Sequence, residues 1–138
     1  MRFRAYIDGA ARNNPGPAGA GVYVEPDGER PAEEIFEALG STTNNVAEYR
    51  ALILALRRAE ELDAKEVEIF SDSRLLVEQV QGNFRVKAAH LKPLLSEAVL
   101  RAKRFRRFSI SHVRRENNVN ADRLANRGAD VSESFAGS

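Results

Sequence analysis

From Arg2 to Asp8 (RFRAYID) apolar and polar positions alternate, with Phe3, Ala5 and Ile7 on one face and Tyr6 and Asp8 on the other. That period of two predicts a half-buried strand ending at Asp8-Gly9. Gly9–Gly19 (GAARNNPGPAG) is dense in Gly, Pro and Asn and predicts a loop. Gly21–Glu25 predicts a second strand, turning at Pro26-Asp27-Gly28. Ala32–Leu39 predicts a third, although Glu33, Glu34 and Glu37 fit it poorly. Over Asn45–Asp63 the period changes: Val46, Tyr49, Leu52, Ile53, Leu56 and Ala59 recur at three- and four-residue spacing, leaving Arg50, Arg57, Arg58 and Glu61 for water. This is an amphipathic helix. The remainder predicts a strand over Lys65–Ser71, a short helix over Ser73–Gln81, a helix over Leu91–Lys103, a strand over Arg107–Val113 and a helix over Asn120–Ala129.

The order β-β-β-α-β-α-α-β-α argues an α/β fold: a five-stranded mixed sheet, an antiparallel meander joined to parallel strands, flanked by helices. Residues 1–130 are expected to form one domain, and Val131–Ser138 a flexible tail. With 138 residues, 43% hydrophobic and 30% charged, the composition is that of an ordinary globular domain. The start MRFRAYIDG lacks the apolar core of a secretory signal, and the longest apolar run, Ala51–Leu56, is too short to cross a bilayer. There is no cysteine, which excludes disulfides and thiolate metal sites and suits a cytoplasmic location. The two histidines, His90 and His112, are too few and too far apart for an imidazole-rich metal site.

Charge is uneven along the chain. Residues 1–70 hold 8 Lys and Arg against 13 Asp and Glu, a net −5, whereas residues 71–138 hold 13 against 7, a net +6. The densest basic stretch is Arg101, Lys103, Arg104, Arg106 and Arg107. It reads either as a solvated helix face or, with an active site nearby, as a contact for a phosphate backbone.

Four acids fall at the ends of predicted elements. Asp8 closes the first strand, Glu48 lies in the first turn of the long helix, Asp72 closes the fourth strand, and Asp122 opens the last helix. Singly, each has a plain structural reading. Asp8-Gly9 is a turn, Asn45-x-x-Glu48 a capping box, Asp72 a helix cap, and Asp122 an answer to the helix dipole beside an Asn120 cap. Together they suggest more, because ligands of open α/β sheets sit outside the carboxyl ends of the strands, where helices begin. Four acids converging there would repel unless divalent cations neutralise them. Mg²⁺ suits such oxygen ligands. Two such ions about 3.5–4 Å apart can clamp a phosphodiester without any side-chain nucleophile.

The segments DGAARNNPGPAG (8–19), TTNNVAEYRAL (42–52), IFSDSRLLVEQVQG (69–82) and ENNVNADRLAN (116–126) resemble the four signature blocks of type 1 ribonuclease H. They occur in the family's order and spacing and cover nearly the whole chain. The likeness is to the compact bacterial and archaeal form, without an N-terminal hybrid-binding domain. The resemblance implies an endoribonuclease that cuts the RNA strand of RNA–DNA hybrids with two Mg²⁺ ions, Mn²⁺ being a substitute, and leaves 5′-phosphate and 3′-hydroxyl ends. Asp8 would bridge both metals, Asp122 would hold the one that activates water, and Glu48 with Asp72 the other. Asn14 would touch RNA sugar hydroxyls, and Thr43, Asn44 and Asn45 would read backbone at the start of the long helix. Such short amide and hydroxyl donors distinguish RNA by its 2′-hydroxyl and leave base sequence unread.

The chain departs from the family pattern in four places. The loop after Asp8 reads Ala10-Ala11-Arg12-Asn13 where glycine is usual, and Asn13 tolerates a left-handed backbone. Arg74 replaces a glutamine that touches the hybrid in some relatives. Gly82–Leu91 (GNFRVKAAHL) is short and lacks the Lys- and Trp-rich protrusion, so that Arg85, Lys87 and the run at 101–107 are candidates to supply its affinity. The loop before Asp122 has no histidine for proton transfer. Arg115 is the candidate assisting group there, acting by charge, and Glu116 the alternative. An integrase-like nuclease and a non-catalytic hybrid-binding module are the competing readings. Double-stranded RNA as a further substrate is left open, and a monomer without membrane contact is the default.

Overall fold

A computed structural model describes residues 1–136. Its strands are β1 (Arg2–Ala11), β2 (Gly16–Val24), β3 (Glu33–Thr42), β4 (Glu66–Ser71) and β5 (Arg107–His112). The helices are α1 (Asn44–Glu61), α2 (Arg74–Val80), α3 (Lys92–Ala102) and α4 (Val119–Ala136), with 3₁₀ turns at Ala89–Leu91 and Arg115–Asn117. The strands form one sheet in the order β3-β2-β1-β4-β5. The β1–β2 and β2–β3 pairs are antiparallel, and β1–β4 and β4–β5 are parallel. The expected mixed sheet is therefore present.

Two layers of helix bury the sheet. Phe3, Ala5 and Ile7 of β1 are fully buried together with Ala20, Val22, Val24, Val67 and Ile69, under Leu52, Ile53, Leu56 and the alanines of α1. On the other face α4 lies directly on β2 and β3. A Cβ on Gly21 would stand 2.4 Å from the Ala121 carbonyl oxygen, and one on Gly128 2.5 Å from that of Glu37. Only backbone fits between these elements, which fixes the height of α4 over the sheet.

Three expectations are corrected. Gly9–Gly19 is not all loop: β1 continues to Ala11 and β2 begins at Gly16, with Ala11 paired to Ala18. Only residues 12–15 form the turn, and Asn13 takes the left-handed conformation that asparagine tolerates, φ 61°. Val131–Ala136 are not a frayed tail but the last turns of α4. Ser132 is buried there, donating from Oγ to the Ala18 carbonyl at 2.7 Å and accepting from Gly40 N at 3.0 Å. Residues 137–138 lie outside the described part. The basic run, finally, sits at the wrong end of the sheet for a site at Asp8 and Asp72. Arg107 pairs with Glu66 at the start of β4, six residues before Asp72, or about 20 Å at ~3.3 Å per residue. Arg101 is occupied by Glu60 and Glu97, and Arg104 by Glu60.

Among the described residues no helix is long and apolar enough to cross a membrane.

Candidate active site

β1 and β4 run parallel, so their carboxyl ends open on the same edge of the sheet. Asp8 and Asp72 are delivered there by chain direction alone. α1 enters from the β3 side. Its N-cap is Thr43, whose Oγ1 accepts from Val46 N at 3.2 Å, so the capping box read at Asn45–Glu48 does not form. With the cap made elsewhere, Glu48 is free to point at the sheet. β1 can approach it closely because residue 9 is glycine: a Cβ there would lie 2.4 Å from Glu48 N. Likewise Ser73, not Asp72, caps α2, its Oγ accepting from Leu76 N at 3.1 Å. α4 begins at Val119, one residue ahead of the cap expected at Asn120, and places Asp122 in its first turn.

The result is one open cleft of about 400 Å³ lined by Asp8, Gly9, Ala10, Ala11, Asn44, Glu48, Asp72, Ser73, Arg115, Asp122 and Asn126. All four candidate acids are in it, with Arg115 and Asn44. Thr43 stands just outside as the cap. Asn14 reaches back from the β1–β2 turn, its Oδ1 accepting from Asn44 N at 2.9 Å, while Asn44 Oδ1 accepts from Ala11 N at 2.7 Å. The Nδ2 groups of both asparagines make no hydrogen bond among the described residues and stay available as donors. Asn45 is not at the cleft. It lines a neighbouring groove of about 530 Å³ with Leu75, Phe84, Arg85 and Lys87.

Electrostatics mark the cleft as unfinished. Burial pushes the Asp8 carboxyl up to about 8, and the charge of Asp72, a hydrogen bond and charge from Asp122, and the charge of Glu48 push the same way. Glu48 is raised to about 7, chiefly by burial and further by Asp72, while a hydrogen bond from Ser73 opposes the rise. Glu48 Oε2 is buried without a hydrogen-bond partner. Among the described residues no basic side chain lowers these carboxyls; Arg115 lines the cleft but is exposed and forms no ion pair there. Nor do three of the acids already stand as a closed set of metal ligands among those residues.

Two residues the sequence did not single out complete the site. Asn126 Nδ2 donates to the Asp122 carbonyl at 2.9 Å and to its Oδ1 at 3.3 Å. Asn118 is buried behind the cleft and donates from Nδ2 to the Ile7 carbonyl at 2.9 Å. Both fall inside the block 116–126, four residues to either side of Asp122, and that spacing was the signal that could have found them.

A family model described as reverse transcriptase-like matches residues 6–128. The bifunctional protein Rv2228c of Mycobacterium tuberculosis is 43% identical over 99% of the chain, which spans 38% of that protein. Its N-terminal RNase H domain, solved as a fusion with maltose-binding protein, superposes with a TM-score of 0.92 at 40% identity, covering 99% of both chains. Ribonuclease HI of Halobacterium salinarum is 41% identical over 94% of the chain and 65% of its own length. The chain belongs to the type 1 ribonuclease H family. It thus spans less than half of the mycobacterial relative and just under two thirds of the haloarchaeal one. A further member of the family, LC11-RNase H1, solved in complex with an RNA/DNA hybrid, superposes with a TM-score of 0.85 at 38% identity over 94% of this chain and 98% of its own.

Proposed function

We propose that this chain is an endoribonuclease that hydrolyses the RNA strand of RNA–DNA hybrids, using two Mg²⁺ ions held by Asp8, Glu48, Asp72 and Asp122. The observation that carries the reading is the cleft's uncompensated charge: four carboxylates, Asp8 raised to about 8 and Glu48 Oε2 left without a partner. Buried acids in that state are stabilised by divalent cations, and an all-oxygen donor set suits Mg²⁺. Bound there, the metal supplies positive charge against the phosphodiester and makes water a competent nucleophile near neutral pH.

The protein's own residues do the rest. The free Nδ2 donors of Asn14 and Asn44 stand beside the cleft, where a ribose 2′-hydroxyl can accept from them. Deoxyribose offers no such partner, which makes RNA the strand that is held. Backbone and amide contacts of this kind read no base, so cleavage is independent of sequence. Arg115, at the rim, offers a fixed positive charge to the scissile phosphate. A guanidinium does not give up its proton at working pH, so its role is charge and orientation.

The decisive test incubates the protein with end-labelled RNA–DNA hybrid, double-stranded RNA and double-stranded DNA, in Mg²⁺, Mn²⁺ or EDTA. Cleavage of the RNA strand of the hybrid with metal, yielding 5′-phosphate and 3′-hydroxyl ends, is expected. Intact hybrid in Mg²⁺ and Mn²⁺ would sink the proposal, and cleavage of the DNA duplex would point to an integrase-like nuclease instead.

A further inference from the structure

The geometry points to Asn118 as the positioning residue that holds Asp8, Asp122 and Arg115 in one arrangement. It rests on the reading above that these groups form the metal and phosphate site. Asn118 is 1% exposed and among the largest fully buried polar side chains of the chain. Its Nδ2 donates to the carbonyl of Ile7, the residue before Asp8, at 2.9 Å. Ile7 is also the last residue of β1 that pairs with β4, so Asn118 takes over where the ladder stops. Its carbonyl accepts from Asp122 N at 3.1 Å, and its N–H donates to the Arg115 carbonyl at 2.9 Å. The side chain of Asn118 therefore ties the end of β1, which carries Asp8, to the short turn and helix start whose local main-chain bonds hold Arg115 and Asp122.

The amide end in use shows why asparagine stands here. Nδ2 is engaged, whereas Oδ1 is buried with no hydrogen-bond partner. An unsatisfied buried acceptor is unfavourable, and an apolar residue of similar size would avoid it. An aspartate would turn an acceptor toward the Ile7 carbonyl. Keeping the asparagine makes sense if the donor's aim matters more than the lost partner.

Ser132 provides the control. It is a second buried polar pin between α4 and the sheet, bonded to Ala18 and Gly40, but it lies ten residues beyond Asp122. The experiment measures Mn²⁺ affinity by calorimetry, Tm without metal, and kcat and KM on hybrid for the parent, Asn118→Ala, Asn118→Asp and Ser132→Ala. The Asn118 variants are expected to bind Mn²⁺ about tenfold more weakly, in the range of other supports of metal ligands. Their kcat should fall by a similar factor while KM for hybrid stays within about twofold. Ser132→Ala should lose Tm with Mn²⁺ affinity intact. The inference is overturned if the Asn118 variants keep the parent's Mn²⁺ affinity, or if Ser132→Ala weakens it as much at equal loss of Tm. Should Asn118→Ala not fold, Asn118→Asp carries the comparison, and failure of both to fold assigns the residue to the fold and overturns the inference as well. A parent that binds Mn²⁺ in an Asn118-dependent way yet leaves hybrid intact sinks the functional reading alone.

Discussion

Two acids on the same face of the same pair of strands are treated in opposite ways. Near the start of β1 and β4, Glu68 accepts from Arg2 and from Arg4, at 2.6 and 2.9 Å. The Arg2 guanidinium, with help from Arg4, holds its carboxyl below the usual range. Four residues further along β1 from Arg4, about 13 Å at ~3.3 Å per residue, Asp8 accepts from the Gly9 amide, faces the charges of Asp72, Asp122 and Glu48, and is raised to about 8, chiefly by burial. The stacked rings of Tyr6 and Phe70, 4.9 Å apart with Arg4 over Phe70, divide the two regions. Acid at one end is answered by arginine from within the chain. At the other end no basic side chain answers the acids, and burial with mutual repulsion raises Asp8 and Glu48.

The comparison can be broken most forcefully at Asp8. Asp8→Asn should lower kcat on hybrid by about 10³-fold, since several kcal/mol of metal-borne stabilisation are removed. The same change should raise the Tm of the metal-free protein at pH 8. A variant that cuts like its parent, or melts lower without metal, would mean that the acids do not repel in the cleft.

The next largest effect is in pH. A carboxyl whose folded pKa is raised takes up protons on folding, so its contribution to stability falls as pH rises from the ordinary carboxylate range, near 4, to the folded value. For Asp8 that window closes near 8, and for Glu48 near 7. Stability of the metal-free protein should therefore decline between pH 5 and pH 8. Mg²⁺ at a hundredfold over its Kd should restore about 2.7 kcal/mol at pH 8 and much less at pH 5, where protons compete for the same oxygens. Melting curves at both values, with and without Mg²⁺, check this. A Mg²⁺ shift independent of pH would count against it.

Arg115→Ala should lower kcat about tenfold with little change in Tm. That is below the ~10²–10³ of a buried transition-state donor, because Arg115 faces water. At the paired end, Arg4→Met should lose about 0.5 kcal/mol or less, the ordinary value of an exposed ion pair, and leave kcat and KM unchanged in steady-state assays.

Much of this was legible in the sequence because element ends and chain direction are written in periodicity. Asp8 and Asp72 follow alternating runs, Glu48 opens a helical one, and parallel strands must end on the same edge. Less legible was anything that depends on what touches what. Gly16 to Gly19 read as loop because glycine and proline usually are. In the fold Gly19 and Gly21 are bare strand positions that let α4 lie against the sheet. The C-terminal residues read as a tail because chain ends usually fray, yet Ser132 is pinned inside and Glu133 pairs with Arg12 at 2.5 Å. The cap of α1 slid by two residues because Thr43, Asn44 and Asn45 are all competent caps. Asn45 went with it, out of the cleft. Asn118 had no reading of its own within the block 116–126, and only its burial and its bond to the Ile7 carbonyl behind Asp8 gave it a part.

The bare Gly9 has a consequence for how this protein can change. A methyl group there would overlap the backbone of Ala47 and Glu48, at 2.4 Å to each, about 1 Å inside the ~3.5 Å at which such atoms rest. Relief would come by moving the first turn of α1, and Glu48 with it, away from Asp8. A displacement of that size is enough to cost about a hundredfold in rate. The separation of Asp8 and Glu48 is thus recorded in a residue that has no side chain and carries no charge. A lineage could keep every acid in this cleft and still lose the chemistry by gaining one carbon.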